Sequence, residues 1–285
     1  MTRRRFLRSA AWAGGAALLA AHTGCRSLTG AGSARGGSMM GFRAPPLPRI
    51  RVGIIGIGAR GTGFVRRLAA IPDVDITALC DVREARAVRE AKALTDAGKP
   101  APALYTGTET AWRGLCERPD VDVVYIITPW LWHTPMALHA MQCGKHAAVE
   151  VPAAMTVADC WRLVRTAEAT RRHCMLLENC CYGFNELLAL NLSRKGVLGD
   201  LIHGEAGYLH YTGTSYLEED PTDEKGGQWR QRWYKEHTGN AYPTHGLGPV
   251  CQWMGINRGD RMDALTSMSS ASLTRNRAVA AKYGP

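Results

Sequence analysis

The spacing of apolar positions changes along the chain. Positions 10–21 form an uninterrupted, mostly apolar run with no charge. From Arg51 onward, short apolar runs alternate with stretches of helical spacing. The segments Arg51–Ile55, Asp75–Cys80, Val121–Thr128, His146–Val151 and Cys174–Glu178 read as strands, being short and rich in Val and Ile. Between them, Thr62–Ala70, Pro135–Cys143 and Val157–Arg172 read as helices. In the last, Val157, Cys160, Trp161, Val164 and Ala167 recur at helical spacing, and Thr156 is placed to cap the first turn. This alternation predicts an α/β fold with a doubly wound parallel sheet. After Cys180 the pattern weakens. Leu201–Tyr211 is the clearest strand there, and the tail Ala271–Pro285 is polar, basic and expected to be loose.

With 46% apolar residues, the 285-residue chain can bury a core, which excludes global disorder. The formal charge of +10 suggests nucleic acid until it is located. Residues 1–50 hold eight arginines and no Asp, Glu or Lys, so the remainder carries a net charge of only +2. A basic nucleic-acid-binding body is therefore excluded as the default. The nine cysteines form no CxxC pair, and His203, His210, His237 and His245 lack the spacing of a zinc motif, so no metal is expected.

The basic start Thr2-Arg3-Arg4-Arg5-Phe6-Leu7-Arg8, with a twelve-residue apolar run behind it, is too short to span a bilayer, which takes about 20 residues. It reads as a signal peptide and resembles the twin-arginine export signal, which makes that export machinery the expected partner. Gly24-Cys25 resembles the end of a lipoprotein box, with His22 departing from it, so Cys25 is a candidate lipid anchor. The expected location is periplasmic or at the cell surface. Ser27–Pro48 reads as a flexible tether. The domain reading is leader and tether over 1–45, a nucleotide-binding domain over 46–180, and a partial substrate domain over 181–285.

The sequence Gly56-Ile57-Gly58-Ala59-Arg60-Gly61 lies between a strand and a helix, the context that a dinucleotide loop requires. Gly56 suits the tight turn, Gly58 the approach of a pyrophosphate, and Gly61 close helix–strand packing. Asp81 ends the next strand 20 residues after Gly61, the spacing of an acid that accepts ribose hydroxyls and repels a 2′-phosphate. NAD is therefore expected over NADP. Trp130-Leu131-Trp132-His133 follows the C-terminal end of the third predicted strand, where ligands bind in doubly wound sheets.

The glycine loop, Asp81, Thr128-Pro129 with His133, and Glu150-Val151-Pro152 together resemble the Gfo/Idh/MocA family of sugar oxidoreductases. In dehydrogenase members a catalytic lysine stands where this chain has Val151. More specifically, the runs 128–133, 147–154, 177–182, 240–249 and 257–263 resemble glycoside hydrolase family 109, the NAD-dependent α-N-acetylgalactosaminidases. The resemblance implies a Rossmann domain followed by an α/β domain with an open, mostly antiparallel sheet. It also implies NAD contacts from Ala59, Arg60, Asp81, Trp130, Leu131, Trp132, His133, Glu150, Val151 and Asn179. Sugar contacts are implied from Tyr208, Arg230, Tyr242, Pro243, Thr244 and His245. Family members run well beyond the Asn257-Arg258-Gly259-Asp260 motif, so a shortened second domain and weak activity are expected.

The chemistry implied is oxidation at C3 of the sugar, elimination across C1–C2, addition of water and reduction at C3, with no net redox change. Ordinary glycosidases use paired carboxylates instead. His245 is the first candidate for the base that handles the C2 proton, with Tyr242 and Tyr182 behind it. Competing readings are a plain sugar dehydrogenase, against which Val151 argues, and an inactive NAD- or sugar-binding remnant.

Overall fold

The computed structural model describes residues 37–209, 229–230, 233, 236–237, 240, 242–271 and 273–283. The leader and Cys25 lie outside the described residues.

Six strands form one parallel sheet: β1 (Ile50–Ile55), β2 (Val74–Asp81), β3 (Ala103–Thr106), β4 (Val123–Ile126), β5 (His146–Val149) and β6 (Cys174–Leu176). Their order is β3-β2-β1-β4-β5-β6. The order reverses between β1 and β4, and this switch point opens a crevice at the carboxyl ends of the strands. The helices α1 (Ala59–Ala69), α2 (Glu84–Asp96), α3 (Trp112–Glu117), α4 (His133–Gln142) and α5 (Val157–Thr170) follow successive strands. Two apolar clusters fill the sheet's faces. One gathers Leu115, Ile126, Met141 and Val149, and the other Ile54, Val65, Leu79 and Leu94.

Two expectations change. β3 and its neighbours α2 and α3 are additional to the elements read from the apolar pattern. β3, Ala-Leu-Tyr-Thr, is an edge strand with no fully buried residue, so it lacks the apolar run of a central strand. The stripe expected to bury α5 is rotated. Leu163 and Ala167 are buried, while Val157 is 75% and Trp161 57% exposed. The buried face packs on the α4 side, one step around the helix from the stripe. The Thr156 cap forms as expected, its hydroxyl accepting the Asp159 N–H at 3.1 Å.

Among the described residues beyond β6 lie a 3₁₀ turn, Asn179–Cys181, and the helices α6 (Phe184–Arg194), α7 (Thr244–Trp253) and α8 (Leu273–Tyr283). Among the described residues of this stretch there is no strand, only an isolated bridge between Ile256 and Asp260. Residues 201–209, expected as a strand, form no regular element, and the tail expected to be loose is helical over Leu273–Tyr283. Among the described residues no helix is long and apolar enough to cross a membrane.

Candidate functional site

A cleft of about 960 Å³ opens at the switch point. The glycine loop floors it. Gly56 has φ +93°, and a Cβ there would strike the Ile127 carbonyl oxygen. A Cβ on Gly61 would strike the Gly56 carbonyl oxygen, so α1 can start this close to β1 only because the position is bare. Gly58 differs. A Cβ there would meet only Arg86, at 3.7 Å, and would project into space otherwise left open. The free N–H groups at the start of α1 face the same space, a setting for phosphate.

Asp81, buried at the end of β2, shapes this loop. One oxygen accepts the Ile57 N–H at 2.7 Å and the other the Arg83 N–H at 2.9 Å. Arg86 stands 4.0 Å away. Each carboxylate oxygen keeps a further lone pair for a ribose hydroxyl.

The opposite wall comes from the segment after β4 and the segment after β5. Arg60 donates to Glu150 at 2.9 Å and, more weakly, to Asn179 at 3.4 Å, tying α1 to the ends of β5 and β6. Glu150's other oxygen accepts the Val151 N–H at 3.2 Å. Val151 is buried and lines the cleft. His133 is also buried. Its ring nitrogens lie 2.7 Å from the Pro152 carbonyl and 2.8 Å from the Thr128 carbonyl, so the neutral ring donates to one of them and the imidazolium to both. Burial pushes this imidazole down from its usual range, with the facing carbonyls opposing. His133 therefore braces the wall, while Trp130, Leu131 and Trp132 beside it supply more of the surface.

Trp130 joins this wall to the residues implied for the sugar. It meets Trp229 at 4.9 Å, Trp233 at 5.7 Å and Tyr242 at 5.6 Å, each edge to face. Arg230 lies over the Trp229 ring at 4.8 Å. Tyr242 stacks on His245 at 5.3 Å with the rings 5° from parallel, and Tyr208 approaches His245 at 4.5 Å. The stacking follows from local geometry: the turn Tyr242-Pro243 leads into α7, and the His245 N–H reaches the Tyr242 carbonyl at 3.4 Å. Pro243 is exposed and Thr244 half-buried. Tyr182 is half exposed, and, like Tyr208, Tyr242, His245 and Asn179, it is not among the residues lining the cleft.

Glu178 was not among the expected site residues. It is buried, and one oxygen accepts from His245 Nδ1 at 2.6 Å and from the Cys180 N–H at 3.0 Å. Burial works to raise this carboxyl, but its polar neighbours Thr244, His245 and Cys180 outweigh it and hold it below the usual carboxylate range. Thr244 Oγ1 and the second Glu178 oxygen fall outside hydrogen-bond geometry and are left without partners among the described residues. Glu178, Cys180 and His245 could also grip a metal, their ligand atoms lying within 4.8 Å of one another. The short hydrogen bond already engages His245 Nδ1, however, and burial followed by the Glu178 charge pushes the Cys180 thiol up, away from the thiolate a metal needs.

Two family models match consecutive stretches of the chain. Residues 50–178 match the oxidoreductase family with an NAD-binding Rossmann fold, and residues 182–285 match the glycosyl hydrolase 109 C-terminal domain. A protein of Shewanella sp. (strain ANA-3), named glycosyl hydrolase family 109 protein 2, is 48% identical over 274 residues, 96% of this chain and 59% of that protein. The chain belongs to glycoside hydrolase family 109. The alpha-N-acetylgalactosaminidase of Bacteroides fragilis (strain ATCC 25285) is 50% identical over 232 residues, 81% of this chain and 54% of that enzyme. This family 109 chain thus spans somewhat more than half the length of these curated relatives. Among solved structures, aldose-aldose oxidoreductase from Caulobacter crescentus, complexed with glycerol, matches with a TM-score of 0.46 at 28% identity, over 53% of this chain and 44% of that one.

Proposed function

We propose that this chain carries the cofactor site and the proton-handling residues of a glycosidase acting on terminal N-acetylgalactosaminides, with NAD as a resident cofactor. The observation that carries the reading is convergence. Trp130 of the dinucleotide cleft touches Tyr242, and Tyr242 stacks on His245. A sugar lying against these rings would therefore lie beside the cleft.

The cleft fits a dinucleotide. Its loop excludes a Cβ at Gly56 and Gly61 and leaves room at Gly58, and Asp81 stands at the adjoining strand end. Ala59, Arg60, Trp130 to His133, Glu150, Val151 and Asn179 would hold or frame the cofactor. NAD is preferred over NADP because Asp81 opposes a 2′-phosphate. Bound NAD would supply reversible hydride exchange at C3 of the sugar, which acidifies the C2 proton. His245 takes that proton and returns it, using the ring nitrogen turned away from Glu178. Tyr242 lies against the same ring and can share the proton, whereas the exposed Tyr182 is the weaker candidate. Tyr208 and Arg230 grip the sugar, and the apolar wall at Val151 offers nothing that could move a proton. That last feature disfavours a plain dehydrogenase.

The test is an α-N-acetylgalactosaminide assay with purified protein, together with cofactor analysis after denaturation. Hydrolysis should proceed without NADH accumulating, solvent deuterium should enter C2, and the denatured protein should release NAD. His245→Ala should lower turnover by roughly 10²–10⁴-fold with bound NAD unchanged. Stoichiometric NADH release would overturn the reading in favour of a dehydrogenase. The leader, by its arginines and short apolar run, supports export by the twin-arginine route. Replacing Arg3, Arg4 and Arg5 with lysine should block that export.

A further inference from the structure

We propose that Glu178 is the positioning residue of the base: it holds His245 in the Nδ1–H tautomer and leaves Nε2 to meet the sugar. The proposal rests on the reading of His245 as the C2 base and adds a residue that the family resemblance did not supply.

The geometry begins with the chain. Glu178 follows β6 and opens the Asn179–Cys181 turn, its own Oε1 accepting the Cys180 N–H at 3.0 Å. The turn therefore fixes where the carboxylate points. The same oxygen receives His245 Nδ1 at 2.6 Å, at the short end of charge-assisted N–H···O bonds. Both side chains are withdrawn from solvent, His245 9% and Glu178 5% exposed, so water competes little for either.

An ionised carboxylate can only accept, so the proton of this bond belongs to Nδ1. Nε2, on the opposite edge of the ring, makes no hydrogen bond among the described residues. Tyr242 stacks on one face and Tyr208 approaches the ring as well, which fixes its plane. His245 is also the second residue of α7, where the helix dipole opposes a positive charge. The Glu178 carboxylate offsets that field when Nε2 takes a proton. A base held by a carboxylate in one tautomer is the arrangement that makes a histidine effective in acyl transfer, and the same physics applies to a proton at C2.

The competing role is structural: Glu178 caps the turn, and its contact with His245 is packing. Glu178→Gln separates the two. Glutamine keeps the volume, but one atom must now serve where one oxygen meets both Nδ1 and the Cys180 N–H: an amide turned there donates to Nδ1, imposes the Nε2–H tautomer and gives up the Cys180 N–H, and a carbonyl kept there has lost the charge that holds the proton on Nδ1. In the full-length protein, ¹⁵N spectra of the His245 ring should show protonated Nδ1 in the wild type and a larger share of protonated Nε2 in Glu178→Gln. The variant's kcat should fall by roughly 10²–10⁴-fold, with KM and bound NAD little changed. Placed on His245→Ala, Glu178→Gln should cost nothing further.

Near-full kcat in Glu178→Gln with Nδ1 still protonated would overturn the proposal, as would an additive loss in the double variant. A wild-type ring protonated at Nε2 would overturn it without any variant. Full activity in His245→Ala would instead remove His245 as the base, and the ring spectra would still decide whether Glu178 sets its tautomer.

Discussion

Residues 50–178 and residues 182–285 use their apolar side chains differently. Both core clusters are built from the first stretch, where a parallel sheet is covered on its two faces. In the second, Leu190 and Pro249 are the buried residues among those described, while Ile202, Leu209, Leu265 and Met268 are each more than 85% exposed. The first stretch closes its own interior. The described part of the second makes its most telling contacts against the first, through Tyr242 on Trp130 and His245 on Glu178. The proposed cofactor site and the proposed base thus sit on elements held in place by different means.

The largest test of that contrast is a pair of leucine truncations. Leu115 is fully buried where α3 meets the sheet, so Leu115→Ala should cost about 2–5 kcal/mol. Leu265→Ala should change stability by no more than about 0.5 kcal/mol. Denaturant unfolding measures both, and comparable losses would break the comparison.

A smaller effect is expected at the glycine loop. Gly61→Ala drives a methyl group into the Gly56 carbonyl and should destabilise the first stretch by about 1–3 kcal/mol. It should also abolish retention of dinucleotide through purification, because the start of α1 moves. Retained NAD would show that the close approach of α1 to β1 is not what shapes the site.

The smallest effect concerns acid. The Arg51 guanidinium, hydrogen-bonded to Asp122 at 2.6 Å, holds that carboxyl below its usual range, with burial opposing. A group lowered in the folded state stabilises above its unfolded value and loses that contribution as pH falls through the folded one. Because Arg51 is partly in solvent, the pair is worth about 0.5–1 kcal/mol. Arg51→Met should remove this at neutral pH and flatten the acid dependence of the unfolding free energy. An unchanged acid profile would show that the pair does not help tie β1 to β4.

Legibility followed the same division. The central strands were visible because a strand buried on both faces must be apolar throughout, and Val52, Ile54, Val124 and Val149 meet that demand. β3 was missed because an edge strand need not. The stripe on α5 misled in all but Ala167, because helical spacing gives a period but not the direction of the neighbour, and the buried residues are Leu163 and Ala167. Gly56 and Gly61 were legible in their separate uses. His133 was legible as belonging to the wall but not as a brace between two carbonyls, since Pro152 lies 19 residues away.

The amino-acid order alone determined the parallel sheet, the glycine loop with Asp81, the concentration of positive charge in residues 1–50, and the family motifs. These are local or periodic signals, and backbone sterics and burial read them without a partner. Only the tertiary structure decided that Glu178 meets His245 across 67 residues and that Trp130 gathers Trp229, Trp233 and Tyr242. A hydrogen bond or a ring contact between distant segments depends on where the sheet's strand order reverses and where α7 is set down. No spacing along the chain encodes that distance.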